Sequence, residues 1–427
     1  MAETGSTDAG RVAFKTLGCK VNQVDSERVA RALLAGGRHT LAGETDAAVV
    51  VVNTCAVTGE AVAKARKAVR HAATLPGNRT VVVTGCAAVI DPDAFGSLGE
   101  RVVVEPDKEA VAGVVAGLTG VVESQVAVAT RPETPVFRTR AMLKIEDGCD
   151  AFCTYCIVPY ARGVPRSVAL ADVVGEAERL VASGVAEIVL TGINIGRYRD
   201  DATQAGLAAV FSAVAATGVE RLRLSSVEPL DLTDTLLDTM ASTPAACPHL
   251  HVPLQSGADR VLEAMGRTYS AHEYAAIIER VREALPGVAL TTDVMVGFPR
   301  ETEADFDATM EVCARIGFAK LHVFRYSPRP GTPAATMPLQ VPAEESRRRA
   351  AALRDLGTGL ASAYARRRVG QRAHVLIEKV DAEEGLAHGT SEDYLKVHLA
   401  AHGVEVGEIL ACDLALDADG TLIGRPV

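Results

Sequence analysis

Apolar residues in the first hundred or so positions come as short unbroken runs: VAFKTLG from Val12, AAVVVVNT from Ala47 and TVVVTG from Thr80. Between them, SERVARALLAG and VAKARKAVRHAA carry the three-to-four spacing of amphipathic helices. Strands that are apolar on both faces and separated by helices predict a parallel sheet covered on both sides. The segment from about 10 to 125 therefore reads as a small doubly wound α/β domain. The Pro- and Thr-punctuated stretch TRPETPVFRTR, residues 130–140, reads as an extended linker.

Six further strand candidates follow: AMLKIED, EIVLTGIN, RLRLSS, HLHVPLQS, ALTTDVMVGFP and KLHVFRYSP. Helical patterns such as VALADVVGEAERLVASG and ETEADFDATMEVCARIG lie between them. Six βα units predict a partial (β/α)6 barrel over 135–366, short of the usual eight strands, ending in one helix from about Glu344 to Arg368. The tail then switches to period two with Gly and Asp-Gly turns, in AHVLIEKV, YLKVHLA, EILACDLAL and ALDADGTLIGR. Short alternating strands of this kind predict a small antiparallel β-barrel of the OB type over 369–427.

Charge narrows the function. Forty-four basic against 54 acidic residues leave a net charge of −10, so the chain does not grip nucleic acid by bulk charge, and any RNA contact must come from local basic patches. Eight Tyr, nine Phe and no Trp provide few platforms for stacking a single strand. No apolar run approaches the length of a membrane helix, and the polar, acidic start MAETGSTDAG does not read as a signal peptide. The expectation is a soluble cytoplasmic protein with no membrane partner.

Nine cysteines carry the chemistry. An odd number in a reducing compartment points to metal or redox chemistry rather than disulfides. Cys149, Cys153 and Cys156 form a CxxxCxxC immediately after the first barrel strand. Three thiolates at this spacing can bind three irons of a [4Fe–4S] cube and leave the fourth open. A zinc site or buried thiols are the alternatives, but no fourth ligand at zinc spacing lies nearby. Cys19, Cys55 and Cys86 each follow a strand of the first domain, about one βα unit apart. Strand ends of a parallel sheet point the same way, so these thiols converge on the edge where such folds bind ligands. Three converging thiols can hold a second cluster, against the plainer reading of Cys as a small buried hydrophobe.

The CxxxCxxC at the head of a six-unit barrel resembles the radical S-adenosylmethionine (SAM) enzymes, and the whole chain resembles their methylthiotransferase family: an N-terminal three-cysteine domain, a radical-SAM core and a C-terminal TRAM domain. The resemblance implies two [4Fe–4S] clusters as cofactors, with SAM as the third. One cluster is held by Cys149, Cys153 and Cys156 and binds SAM through its open iron to yield a 5′-deoxyadenosyl radical. The other, held by Cys19, Cys55 and Cys86, carries the sulfur that is donated. The segments TLGCKVNQVDSE, CTYCIVPYARG, RLRLSSVEP and HLHVPLQSGADRVLEAMGR look most like the branch that modifies N6-threonylcarbamoyladenosine at C2, next to the anticodon of tRNA. Sister branches act on isopentenyl-adenosine in tRNA and on an aspartate of a ribosomal protein. The implied partners are the tRNA anticodon stem-loop, an electron donor such as flavodoxin or ferredoxin, and a sulfur source. A rival from another class is a non-enzymatic zinc-bearing RNA-binding protein.

The resemblance also suggests cofactor-binding positions. Tyr155 matches an aromatic that lies near the adenine of SAM, and Thr191, Gly192 and Asn194 match the strand end that binds its amino group. Ser225, Glu228 and Gln255 end later strands and could hold ribose or carboxylate, with Asp293 and Glu301 as further candidates. Cys247, His249 and His251 invite a metal reading, yet the histidines alternate with Leu250 and Val252 as lumen-facing strand residues do. Cys313 and Cys412 fall on apolar faces and read as core. Arg347 to Arg349 and Arg366 to Arg368 could meet RNA phosphates or simply solvate helix ends. From Val369 onward there are four basic and eleven acidic residues, an acidity at odds with the RNA-binding role of a TRAM domain.

Overall fold

The computed structural model of the chain describes residues 10–77, 79–120 and 139–427. The predicted linker lies outside the described residues except for Thr139 and Arg140, as do the expected domain edges at 125 and 135. The first sheet is fully parallel, with β1 (Arg11–Thr16), β2 (Thr40–Leu41), β3 (Val49–Thr54), β4 (Thr80–Gly85) and β5 (Val102–Val104) in the order β2-β1-β3-β4-β5. Its valine runs are continuous because both faces are covered. Val49 and Val51 pack under helices Lys20–Ala35 and Val111–Leu118, whereas Val50 and Val52 pack against Ala65, Val69 and Phe95 on the other side. The strand order reverses between β1 and β3, which makes the gap beyond their C-terminal ends the fold's natural ligand position.

The second unit has the six expected strands: β6 (Ala141–Lys144), then β9 (Glu187–Thr191), β10 (Arg221–Leu224), β11 (His249–His251), β12 (Ala289–Val296) and β13 (Lys320–Arg325). A two-strand ribbon of β7 (Glu146–Asp147) and β8 (Arg166–Ser167) flanks the cysteine loop. Two three-stranded parallel sheets, β10-β9-β6 and β11-β12-β13, are stitched by parallel bridges at Leu222–Ala246 and Ser226–His251. The result is a partial barrel in sequential order, open between β6 and β13. Leu222 and Leu224 pack outward into the main core with the helices, so by strand alternation Arg221, Arg223 and Ser225 face inward. The helix Lys20–Ala35 of the first unit packs beside β6 at the open side, tied there by Lys144 Nζ to Asp25 Oδ1 at 2.7 Å.

The helix expected from about Glu344 runs Ala343–Arg368 and leads into a closed antiparallel-rich barrel. Its strands are β14 (Arg372–Asp381), β15 (Leu386–Ser391), β16 (Lys396–Ala400), β17 (Ile409–Leu416) and β18 (Leu422–Pro426). This barrel docks against the starts of the barrel strands of the second unit. Arg221 donates to the carbonyls of Thr390 and Ser391, Arg223 to that of Glu392, and both pair with the fully buried Glu187. Among the described residues, no helix is long and apolar enough to cross a membrane.

Candidate functional site

The first cysteine trio gathers at the reversal point of the N-terminal sheet. Thr16, Asn53 and Thr84 stand in register across β1, β3 and β4, and Cys19, Cys55 and Cys86 follow within three residues of them. Gly18 permits the approach: its φ is +102°, and a Cβ there would stand 2.7 Å from Cys55 Cβ. Asn22 sits at the centre. Its amide donates to the carbonyls of Leu17 and Thr54, while its Oδ1 lies 3.9 Å from Cys19 Sγ and 4.0 Å from Cys86 Sγ.

The second trio lies at the C-terminal end of β6. The Cys149 N–H donates to Gly163 O at 2.9 Å and the Cys156 N–H to Cys153 O at 2.9 Å, closing a loop that wraps back on itself. Arg267 Nη1 stands 3.4 Å from Cys153 Sγ and Asn194 Nδ2 3.9 Å from Cys149 Sγ. Burial pushes the Cys55 thiol up to about 11 and that of Cys156 up to about 12, and it also raises Cys86 and Cys149. Such thiols stay protonated near neutrality until a metal takes the proton's place. Among the described residues, no group of three His, Cys, Asp or Glu is arranged around one ion, as zinc requires. A cube instead gives each thiol its own iron, and both donor sets, three thiols apiece, fit that chemistry.

One side chain joins the trios. Arg162 ends the helix Val158–Arg162 directly after the CxxxCxxC loop, and its side chain is fully buried. Its Nε donates to Cys86 Sγ at 3.3 Å, Nη1 to Asp147 at 2.7 Å, and Nη2 to Asn22 Oδ1 at 2.6 Å and Asp25 at 3.0 Å. Burial opposes the charge of Asp147, yet Arg162, Lys144 and Lys108 hold its carboxyl well below the usual range. Sequence reasoning quoted this arginine inside CTYCIVPYARG without giving it a role. It stands six residues beyond Cys156, at the end of the short helix that follows the motif.

Of the expected cofactor positions, Asn194 reaches the second trio directly, through Cys149. Thr191 ends β9 and is buried. The loop after it is pinned by Glu146, whose Oε2 accepts from the N–H groups of Ile193 (3.0 Å) and Asn194 (2.7 Å). A Cβ on Gly192 would stand 2.9 Å from that oxygen. Burial pushes the Glu146 carboxyl up to about 7 against those two donors. Asn194 Oδ1 and Ser225 Oγ are buried without a partner, as a site built to receive a donor leaves them. Tyr155 packs edge-on to Phe298 at 6.5 Å. Glu228 pairs with Arg267, and Gln255 occupies a left-handed backbone position with φ of 68°. Asp293 Oδ1 meets His251 Nε2 at 3.2 Å. Glu301 accepts from Gly297 N and pairs with Arg349 at 2.8 Å. Glu146 and Arg267 went unrecognised in the sequence because their roles depend on which loop each meets.

Deeper in the barrel, His249 and His251 both meet Thr291 Oγ1, at 3.2 and 2.9 Å, and His251 lies edge-on to His322 at 5.4 Å. Tyr394, reaching in from the C-terminal barrel, stacks on His249 at 4.7 Å. Cations surround its ring: Arg223 at 4.5 Å, Arg140 at 5.3 Å and Lys20 at 5.9 Å. Burial pulls Lys20 down from its ordinary value; Arg140 and Arg223 add to the fall, and Tyr394 and Glu187 oppose it. Cys247, Cys313 and Cys412 are buried, the latter two within apolar cores as expected. Of the arginine clusters, Arg348 and Arg349 are engaged by Glu303 and Glu345, and Arg368 by Asp393.

Comparison with known proteins places this geometry in a family. Residues 143–313 match the Radical SAM superfamily, and residues 11–104 match Uncharacterized protein family UPF0004. The chain is 36% identical, over 93% of its length and 92% of theirs, to the threonylcarbamoyladenosine tRNA methylthiotransferases MtaB of Thermotoga maritima and Bacillus subtilis. It is 34% identical, over 97% of both chains, to the tRNA-2-methylthio-N(6)-dimethylallyladenosine synthase of Sphingopyxis alaskensis. Its fold is similar to that of the radical S-adenosylmethionine methyltransferase TsrM from Kitasatospora setae, with a TM-score of 0.56 at 16% identity over 76% of this chain and 77% of that one. With both cysteine trios in place on this fold, the chain belongs to the radical SAM methylthiotransferases, enzymes that work with S-adenosylmethionine and two [4Fe–4S] clusters.

Proposed function

We propose that this enzyme converts N6-threonylcarbamoyladenosine in the anticodon stem-loop of tRNA to its 2-methylthio derivative. Cys149, Cys153 and Cys156 are assigned to the cluster that binds SAM, and Cys19, Cys55 and Cys86 to the cluster that carries sulfur. When bound, these groups supply the radical that removes hydrogen from an unactivated C–H and the methylthio unit that replaces it, chemistry beyond any side chain. The chain's own residues bind and orient. The orphan acceptors Asn194 Oδ1 and Ser225 Oγ suit the ammonium and hydroxyl donors of SAM, and Tyr155 suits its adenine. Arg162 and Arg267 place cationic donors on one sulfur of each trio, which favours the more negative state of a cluster. An electron donor of the flavodoxin or ferredoxin type, a sulfur source and a cytoplasmic location complete the reading.

The observation that supports it is the approach of the two trios at Arg162, which follows the CxxxCxxC loop in the chain and donates to Cys86 Sγ. The 36% identity to MtaB enzymes favours the threonylcarbamoyl substrate. The 34% identity to dimethylallyladenosine synthases favours a second reading, in which the substituent is apolar. Mass spectrometry of nucleosides from bulk tRNA, with and without the gene, separates them. Gain of 2-methylthio-N6-threonylcarbamoyladenosine supports the proposal; gain of the dimethylallyl product, or no change in tRNA, overturns it.

A further inference from the structure

Lys20 follows Cys19 directly and opens the helix that packs at the open side of the barrel. Its neighbours are mostly cationic, and those cations are already matched. Arg223 pairs with Glu187 at 2.9 Å, Arg221 with Glu187 at 2.6 Å, and Arg140 with Glu378 at 2.8 Å. Asp293 is engaged by His251. Lys20 is different: among the described residues its ammonium enters no ion pair, and the group it faces is the ring of Tyr394 at 5.9 Å. It lies near enough to His249 and His322 to act on both electrostatically, and burial first, with Lys20 among the lesser causes, pulls both imidazoles below their ordinary value. Among the described residues, the floor of the lumen therefore holds a mostly buried ammonium outside any ion pair, with the imidazoles of His249 and His322 nearby.

A partly desolvated ammonium without an anion is costly unless a ligand completes it. Lys20 directly follows Cys19, so this ammonium stands next to the trio assigned to the sulfur that the substrate base receives. We propose that Lys20 is a specificity-determining residue that binds the carboxylate of an amino-acid substituent on the substrate base. This rests on the threonylcarbamoyladenosine reading, since a dimethylallyl group offers no anion, and it deepens that reading by naming what recognises the substituent.

The test uses the holoenzyme, reconstituted without oxygen, and two anticodon stem-loop RNAs. One carries threonylcarbamoyladenosine; in the other the threonyl carboxylate is replaced by a hydroxymethyl group. Affinity is read by fluorescence anisotropy, and turnover by product mass. The wild type binds the carboxylate RNA about tenfold more tightly, the scale of one charge-assisted hydrogen bond. Lys20→Gln, with iron and sulfide content matched to the wild type, binds both RNAs equally at the wild type's weaker affinity, and Lys20→Arg regains part of the preference. An equal loss of affinity for both RNAs in Lys20→Gln overturns the proposal, because it marks a phosphate contact or a disturbed fold. An undiminished preference in Lys20→Gln overturns it too. If the wild type modifies both RNAs alike, this inference falls and the substrate reading stands; if it modifies neither but accepts a dimethylallyl RNA, both fall.

Discussion

Arg162 Nε lies 3.3 Å from Cys86 Sγ, so a residue on the short helix after the CxxxCxxC loop of one unit donates to a thiol on the sheet edge of another. The same guanidinium sits between Asp25 and Asp147, which Lys144 and Lys108 also approach. One buried and one partly buried carboxylate and three cations form one network, and each member is satisfied by the others. The two cysteine-bearing segments are fixed relative to one another by charge rather than by apolar packing alone.

Arg162→Met should therefore act on both units. It removes the central cation and leaves Asp25 and Asp147 to two lysines, a loss of about 3 kcal/mol for a broken buried pair. A fall of several degrees in thermal midpoint is expected, together with reduced iron in a Cys153→Ala background, where the retained iron reports the N-terminal trio. Unchanged midpoint and unchanged iron would remove Arg162 from the interface.

The two trios should fail differently. Replacing Cys149, Cys153 and Cys156 by Ala is expected to abolish SAM cleavage, read as 5′-deoxyadenosine by chromatography. Replacing Cys19, Cys55 and Cys86 should spare cleavage and stop methylthio formation. The wild type should hold about eight irons per chain, and each triple variant about half. Methylthio nucleoside from either variant contradicts this division of labour.

Much of this architecture was legible in the chain because its signals are local. The valine runs ending at Asn53-Thr54 and Thr84-Gly85 declare strands covered on both faces, and the cysteines two residues beyond Asn53 and Thr84 share a sheet edge by register. The CxxxCxxC needs only its own spacing. What stayed hidden depends on three-dimensional partners. Glu301 looked like a rim residue and instead pairs with Arg349, 48 positions away. Arg162 and Cys86 are 76 positions apart. Lys20 owes its setting to Tyr394, which is 374 positions away in the chain.

Glu146 gives a pH-dependent prediction. Its carboxyl rises from 4.5 to about 7 on folding, because burial outweighs the two backbone donors. An acid with a raised folded pKa favours the folded state most fully below about pH 4.5, and that advantage is lost as pH rises through 7, a swing of about 3 kcal/mol. Glu146→Gln keeps an oxygen for the N–H groups of Ile193 and Asn194 without the charge. Urea unfolding should find the variant more stable than the wild type at pH 8 by about 1–3 kcal/mol, with the gap closing toward pH 4.5. A constant gap at all pH values would show that Glu146 does not titrate in this range.

The docking of the C-terminal barrel rests on Glu187, which has no exposed surface and pairs with Arg223 at 2.9 Å and Arg221 at 2.6 Å. Burial alone would raise its carboxyl, yet the two arginines hold it below the usual range. Those arginines also donate to the carbonyls of Thr390, Ser391 and Glu392, so one anion supports the cations that hold the last unit in place. Glu187→Gln leaves two buried guanidinia without their counter-charge, at a cost of about 3–5 kcal/mol. Hydrogen exchange should then quicken at 389–393 before it does in β9. Because buried pairs escape the Debye screening that weakens surface pairs, the loss should be nearly the same in dilute and in high salt. A loss that shrinks as salt is raised would mean the pair is wetted and that apolar contact carries the docking.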